Sequence, residues 1–123
     1  NEELMLKYMI AVSYLHKAMQ RQTTVRNFYM IHAVKYLLQY KSLQLKKFGE
    51  GSIEHMEAEY NVGKFYQMLS LNTLALKHYW NVLLAADDNK FKKHAAVNLV
   101  HLYAHSNNFD KADEITAKYL IVE

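Results

Sequence analysis

His101 and His105 stand four residues apart, a spacing that puts two imidazoles on one helix face and suits a pair of zinc ligands. No Glu follows His101 in the metalloprotease arrangement, and the 123 residues contain no Cys to complete a thiolate site. The pair is better read as neutral or switchable hydrogen-bond donors to a bound peptide. The carboxylate pairs Glu57 with Glu59 and Asp110 with Asp113 offer acid–base chemistry. Each pair is expected in the first turn of a helix, where negative charge is stabilised by the unpaired amides. Gly49-Glu-Gly51 has neither the spacing nor the Lys-Ser/Thr ending of a phosphate-cradling loop, and no Ser sits in a nucleophile elbow. The expectation is therefore no catalytic residue, no metal, no cofactor and no small-molecule substrate.

Charge points instead to binding, because it is segregated. Lys7, Lys17, Arg21, Arg26, Lys35, Lys41, Lys46 and Lys47 lie between Leu4 and Gly49, a stretch without a single acid. Residues 1–49 hold eight bases and two acids, a net +6, and residues 50–123 hold a net −3, against +3 for the whole. Such a surface suits an acidic protein segment or, secondarily, nucleic-acid phosphate. Lys17, Arg21, Arg26, Lys35 and Lys41 have no acid near them in sequence and are expected to need compensation from outside the hairpin. The plainer alternative is a solvated helix face.

The elements that position these groups are helices. The chain has no Pro and three Gly, where average usage would give roughly six and nine. A turn-rich sandwich or barrel is thereby disfavoured. The longest fully apolar runs, Tyr8–Val12 and Val82–Ala86, are five residues long, far short of a membrane helix. Leu4, Tyr8, Ala11, Leu15 and Met19 recur at helical spacing and predict a helix over 2–20. Thr23 or Thr24 would cap a second helix reaching Lys46, and Phe48–Ser52 forms a glycine loop. Further helices are expected over 53–69, from Asn72 as cap to Ala86, from after Asp87-Asp-Asn89, and from after Ser106-Asn-Asn108 to about Val122. The chain opens on Asn1 inside a helical pattern and reads as a segment of a longer polypeptide.

Six helices in three hairpins invite a search for repeats. Tyr60-Asn-Val-Gly-Lys-Phe-Tyr66 followed by Ala75 and Tyr79 aligns with Val97-Asn-Leu-Val-His-Leu-Tyr103 followed by Ala112 and Thr116, 37 residues on. The distance from Tyr66 to Ala75 and from Tyr103 to Ala112 is nine in both. This is the tetratricopeptide (TPR) pattern. Helices approach closely only where one side chain is tiny, and an aromatic fills the space beside it. Gly63, Tyr66, Ala75, Tyr79, Tyr103 and Ala112 are the structural positions, and bulk at Gly63, Ala75 or Ala112 is expected to destabilise more than at Ala58, placed on a less crowded face. Ile10, Ala11, Tyr14 and Ala33, Leu37, Tyr40 form a degenerate first repeat whose Tyr-to-Ala spacing is 19, ten longer. The expected fold is all-α: three antiparallel hairpins in a right-handed α-solenoid, an extended first hairpin over 1–48, then repeats over 53–86 and 90–122. In this register Tyr8, Val12, His16, Tyr60, Lys64, Gln67, Met68, Val97, His101 and His105 line the concave, partner-binding side, with His94. Tyr and Met there would give a peptide or helix large, adaptable contacts. One of Tyr79 and Trp80 must leave the hairpin core, and an exposed Trp would mark an interface.

Particular stretches go beyond a generic repeat. Val12–Asn27, which includes Met19-Gln-Arg-Gln-Thr23, and Ala33-Val-Lys-Tyr-Leu-Leu-Gln-Tyr40 resemble one family. So do Glu57-Ala-Glu-Tyr-Asn-Val-Gly63, Leu74-Ala-Leu-Lys-His-Tyr79 and Lys92-Lys-His-Ala-Ala-Val-Asn-Leu99. The family is the large TPR subunit of TFIIIC, the RNA polymerase III transcription factor, in its carboxy-terminal TPR region and its fungal form. The resemblance implies a non-catalytic nuclear scaffold that helps assemble the factor on tRNA-type promoters and supports TFIIIB recruitment. Sister TFIIIC subunits would be the direct partners, TFIIIB an indirect one, and DNA a secondary one. A TPR module of an unrelated peptide-receptor or RNA-processing assembly is the alternative.

Overall fold

The computed structural model describes residues 2–20, 25–85 and 88–120. Arg21, the caps proposed at Thr23 and Thr24, the helix end at Ala86, Asp87 and the end near Val122 lie outside them. The described residues form α1 (Glu2–Met19), α2 (Arg26–Phe48), α3 (Ile53–Met68), α4 (Asn72–Leu83), α5 (Lys90–His105) and α6 (Phe109–Ile115). A π-helical turn, Thr116–Leu120, continues α6. There is no strand among the described residues. The all-α, TPR-like fold expected from the spacing is the fold observed.

Local chemistry sets the boundaries. The Ser52 hydroxyl accepts from the His55 amide at 3.1 Å and starts α3. The Asn89 side chain accepts from the Phe91 amide at 2.9 Å and starts α5. Asn108 does the same for α6 through the Lys111 amide at 3.3 Å. Gly49 and Gly51 take φ of 92° and 79°, where a β-carbon is disfavoured, and turn the chain from α2 into α3. Three expectations are corrected. Asn72 is the first residue of α4 rather than its cap, which falls at Leu71 without a side-chain bond. The helix ends at Leu83, where the Leu84 amide closes on Trp80 O at 2.9 Å. The second helix continues two residues past Lys46, to Phe48.

The turns after α3 and α5 are copies of one another. Ser70 and Asn107, 37 residues apart, both have φ of 65°. The next amides, Leu71 and Asn108, return to Tyr66 O and Tyr103 O, each at 2.8 Å. This is the six-to-one closure that satisfies the last carbonyls of a helix.

The core runs through all three hairpins, with Leu37, Val62, Leu69, Tyr79, Val82, Leu99 and Ile115 almost fully enclosed. The crossing of α3 and α4 is tight. A β-carbon on Gly63 would lie 2.8 Å from Cε1 of Tyr79. Ala75 and Tyr79 are wholly buried and Ala112 nearly so. Ala58 is also wholly buried, which corrects its placement on a less crowded face. A first helix in such an array is enclosed on two sides, by its own hairpin partner and by the preceding hairpin, and the expectation counted only one. No helix among the described residues is long and apolar enough to cross a membrane.

Candidate functional site

The residues expected on the concave side divide into two groups. His16, Lys64, Met68, Val97, His101 and His105 are exposed. Tyr8, Val12, Tyr60 and Gln67 are half-buried. The Tyr8 ring lies 4.9 Å from Tyr40 and 6.2 Å from Phe65, bridging α1, α2 and α3. Burial, then the Glu57 charge, pushes its phenol above the ordinary range. Tyr60 lies 5.8 Å from Tyr79, 5.7 Å from Phe91 and 5.9 Å from His94, and its hydroxyl accepts from Asn98 at 3.1 Å. Lys64 folds back over the Tyr60 ring at 5.8 Å. The Gln67 oxygen accepts the Tyr79 hydroxyl at 2.6 Å. The structure thus gathers Tyr60, Lys64, Phe91 and His94 into one patch across α3 and α5, while Tyr8 and Gln67 already have partners inside the fold.

The basic hairpin divides too. Lys17 lies over Tyr29 at 5.5 Å and Lys35 over Tyr36 at 5.5 Å, both with solvent-facing heads. Lys41 is employed internally, which corrects the expectation that its charge needs an outside partner, and Arg26, though exposed, spends its donors on carbonyls of the fold. The Arg26 guanidinium donates to Ala18 O at 3.1 Å and to Leu69 O at 3.4 Å, tying the carboxy-terminal ends of α1 and α3 to the start of α2. Lys41 forms an ion pair with Glu59.

Glu59 is the group that sequence reasoning misplaced. It is the seventh residue of α3, not part of its first turn, and it is 3% exposed. His78 Nδ1–H donates to Oε2 at 3.1 Å and Asn81 Nδ2 donates to the same oxygen at 3.1 Å, with His55 Nε2 at 4.0 Å from Oε1. Burial alone pushes the carboxyl up. The hydrogen bonds from His78, Lys41 and Asn81, together with the Lys41 charge, outweigh it and hold the carboxyl at about 2. The available sequence signal was periodic: Glu59 occupies a core position three residues from Met56 and three from Val62. Trp80 is not exposed either. Its Nε1 donates to the Tyr103 hydroxyl at 2.9 Å, and Lys111 lies 5.5 Å over its ring. It fastens α4 to α5.

No three metal-ligating side chains are grouped among the described residues. Stacked helical hairpins, a small-residue crossing repeated in register and side-chain clamps between layers define a TPR-like helical-repeat protein. No family model matches the chain. The transcription factor tau 131 kDa subunit of Saccharomyces cerevisiae is 35% identical to it over 121 residues, 98% of this chain and 12% of that protein. The transcription factor tau subunit sfc4 of Schizosaccharomyces pombe is 33% identical over 128 residues, 91% of this chain and again 12% of that protein. The chain belongs with these large subunits of transcription factor tau, or TFIIIC, and spans about an eighth of their length.

Proposed function

We propose that this chain is a protein–protein interaction scaffold within TFIIIC, supporting assembly of the factor on RNA polymerase III promoters of the tRNA type and, through the rest of the subunit, TFIIIB recruitment. The observation that carries the proposal is homology along nearly the whole chain to subunits of one transcription factor. The side chains left exposed on the expected concave side favour binding over catalysis. Lys64, Met68, Val97, His101 and His105 offer one cation, two apolar contacts and two imidazoles, but no nucleophile with an adjacent base. In this reading the chain is not an enzyme, works in the nucleus and binds sister TFIIIC subunits directly. The exposed heads of Lys17 and Lys35 give DNA phosphate a secondary place.

The test is a pull-down of purified TFIIIC subunits by the 123-residue chain and by its Lys64→Glu/Met68→Glu/His101→Glu variant. The parent should retain at least one subunit and the variant should lose it while keeping its helical circular dichroism. Retention by neither, or equal retention by both, overturns the concave-side reading. A duplex DNA titration across a salt series separates the secondary role, because phosphate contact weakens steeply with salt.

A further inference from the structure

The first two hairpins share a register in which Ala11 and Tyr14 correspond to Gly63 and Tyr66, 52 residues on, and Ala33 corresponds to Ala75, 42 residues on. The structure obeys it. Tyr14 stacks on Tyr36 at 5.9 Å as its counterpart Tyr66 stacks on His78 at 5.4 Å. Leu4 and its counterpart Met56 are both buried. Besides the longer helices of the first, the two hairpins differ in how one face is covered. On α3 and at its carboxy-terminal cap, Ala58, Val62, Phe65 and Leu69 are buried, none more than 4% exposed, with the Phe65 ring 6.2 Å from Tyr8 of the first hairpin. Their counterparts on α1 are Leu6, Ile10, Ser13 and Lys17. Leu6 is 57% exposed, Ser13 and Lys17 are exposed and Ile10 is half-buried. With Met9 and Tyr14 they line an open depression of about 430 Å³.

The charge pattern of the same face is inverted. Glu59 receives Lys41 from the helix stacked on it, with Asn81 as a second donor. The counterpart of Glu59 is Lys7 and the counterpart of Asn81 is Gln39. Lys7 rests over Tyr36 at 5.3 Å. Gln39 Oε1 is buried without a hydrogen-bond partner among the described residues. The Nε2 arm of the same amide is not enclosed and can donate outward, as Asn81 does to Glu59.

We propose that the outer face of α1 docks an acidic amphipathic helix, stacked as α2 stacks on α3, with an Asp or Glu carboxylate on Lys7 and Gln39 and apolar side chains over Leu6, Met9 and Ile10. Charge complementarity selects the occupant, since Glu3, which shares a depression with Lys7 and Gln39, is outnumbered on this hairpin by Lys7, Lys17 and Lys35. Duplex DNA brings phosphate but no apolar side to cover Leu6 and Met9. Relatives of which this chain matches 12% carry further polypeptide able to supply such a helix.

The inference rests on the scaffold reading and deepens it. The subunit pull-down tests that reading at the concave side and the following titration tests this face, so either can fail alone. Two stapled helical peptides of about 18 residues, five turns, are built on the apolar spacing of α2 and differ only in Glu or Lys at the Lys41 position. Each is titrated into the full chain by fluorescence anisotropy and by amide chemical shift. The Glu peptide should bind at least about tenfold more tightly and move the signals of Leu6, Lys7, Ile10 and Gln39. Lys7→Glu should reverse the preference. Lys7→Met, which keeps its stem over Tyr36, should abolish it with no change in melting temperature. The proposal is overturned if neither peptide binds below about 1 mM, if both bind equally, or if the shifts fall on α5. It is equally overturned if the face is already covered by a second copy, seen as concentration-dependent association lost in Lys7→Met, or if duplex DNA displaces the Glu peptide.

Discussion

The first hairpin and the second are the same motif built under different conditions. The second has a layer on each side. Its small residues are at the crossings, its buried carboxylate Glu59 is answered by Lys41 from the neighbour, and Tyr79 sits against Gly63 with no room for a β-carbon. Among the described residues the first has a neighbour on one side only. Its counterpart of Gly63 is Ala11, its counterpart of Glu59 is Lys7, and the side chains that would be enclosed are left outside. The contrast shows which groups of the second hairpin answer to its neighbour: Glu59 to Lys41 and Phe65 to Tyr8. Solenoid stability is close to a sum of units and interfaces, and here the interface part is concentrated in a few identifiable groups.

The strongest way to break this comparison is to remove the interface charge. Lys41→Met leaves Glu59 buried without its cation and should cost about 3–5 kcal/mol in chemical denaturation, whereas Lys7→Met should cost almost nothing. Equal costs would mean that the two positions are not related as the register states. Acid should expose the same group more gently. The folded Glu59 carboxyl sits near 2, below its ordinary 4.5. Its stabilisation is therefore complete above about pH 4.5 and is lost as pH falls towards 2, a decline of about 3 kcal/mol. In Glu59→Gln that segment of the stability–pH curve should be flat relative to the parent.

Smaller effects sharpen the same contrast. Gly63→Ala forces the Tyr79 ring aside and should cost roughly 1–3 kcal/mol. The opposite swap at the matching position, Ala11→Gly, should cost about 1 kcal/mol through helix propensity and about as much again through the lost buried methyl. A neutral Gly63→Ala would show that Tyr79 can move and that the crossing is not the constraint. Smallest of all, Arg26→Ala should lower stability by about 1 kcal/mol through two lost carbonyl bonds. Lys17→Ala and Lys35→Ala should stay within about 0.5 kcal/mol. If Arg26 behaves like the lysines, its bonds to Ala18 and Leu69 carry no net stabilisation.

What could be read from the chain follows from which interactions leave a local trace. Helix spacing, the 37-residue repeat and the Gly63–Ala75–Tyr79 crossing are written as periodicities, and the structure has them in place. The Lys41–Glu59 clamp joins residues 18 apart on different helices, with nothing between them to announce it. A count of acids near each base therefore took Lys41 for a free charge. Arg26 escaped for a related reason, because its acceptors are backbone carbonyls, which composition never shows. Ala58 was misplaced because helical periodicity gives the phase of a face but not how many neighbours press on the helix. The concave side was half readable. The positions were assigned by register, yet Tyr8 and Gln67 turn out to be engaged within the fold.

Trp80, the only tryptophan in the sequence, binds Tyr103 across the joint between the second and third hairpins. The chain therefore carries a single indole, whose emission can be excited apart from that of the ten tyrosines, at one of its two joints, while the Lys41–Glu59 joint has none. Peeling away the first hairpin removes helical ellipticity without touching the indole. Separation of the third hairpin strips the indole of its hydrogen bond and of the ammonium above its ring, and shifts its emission. The two spectroscopies thus watch opposite ends of the array, and the order in which they change states which end frays first.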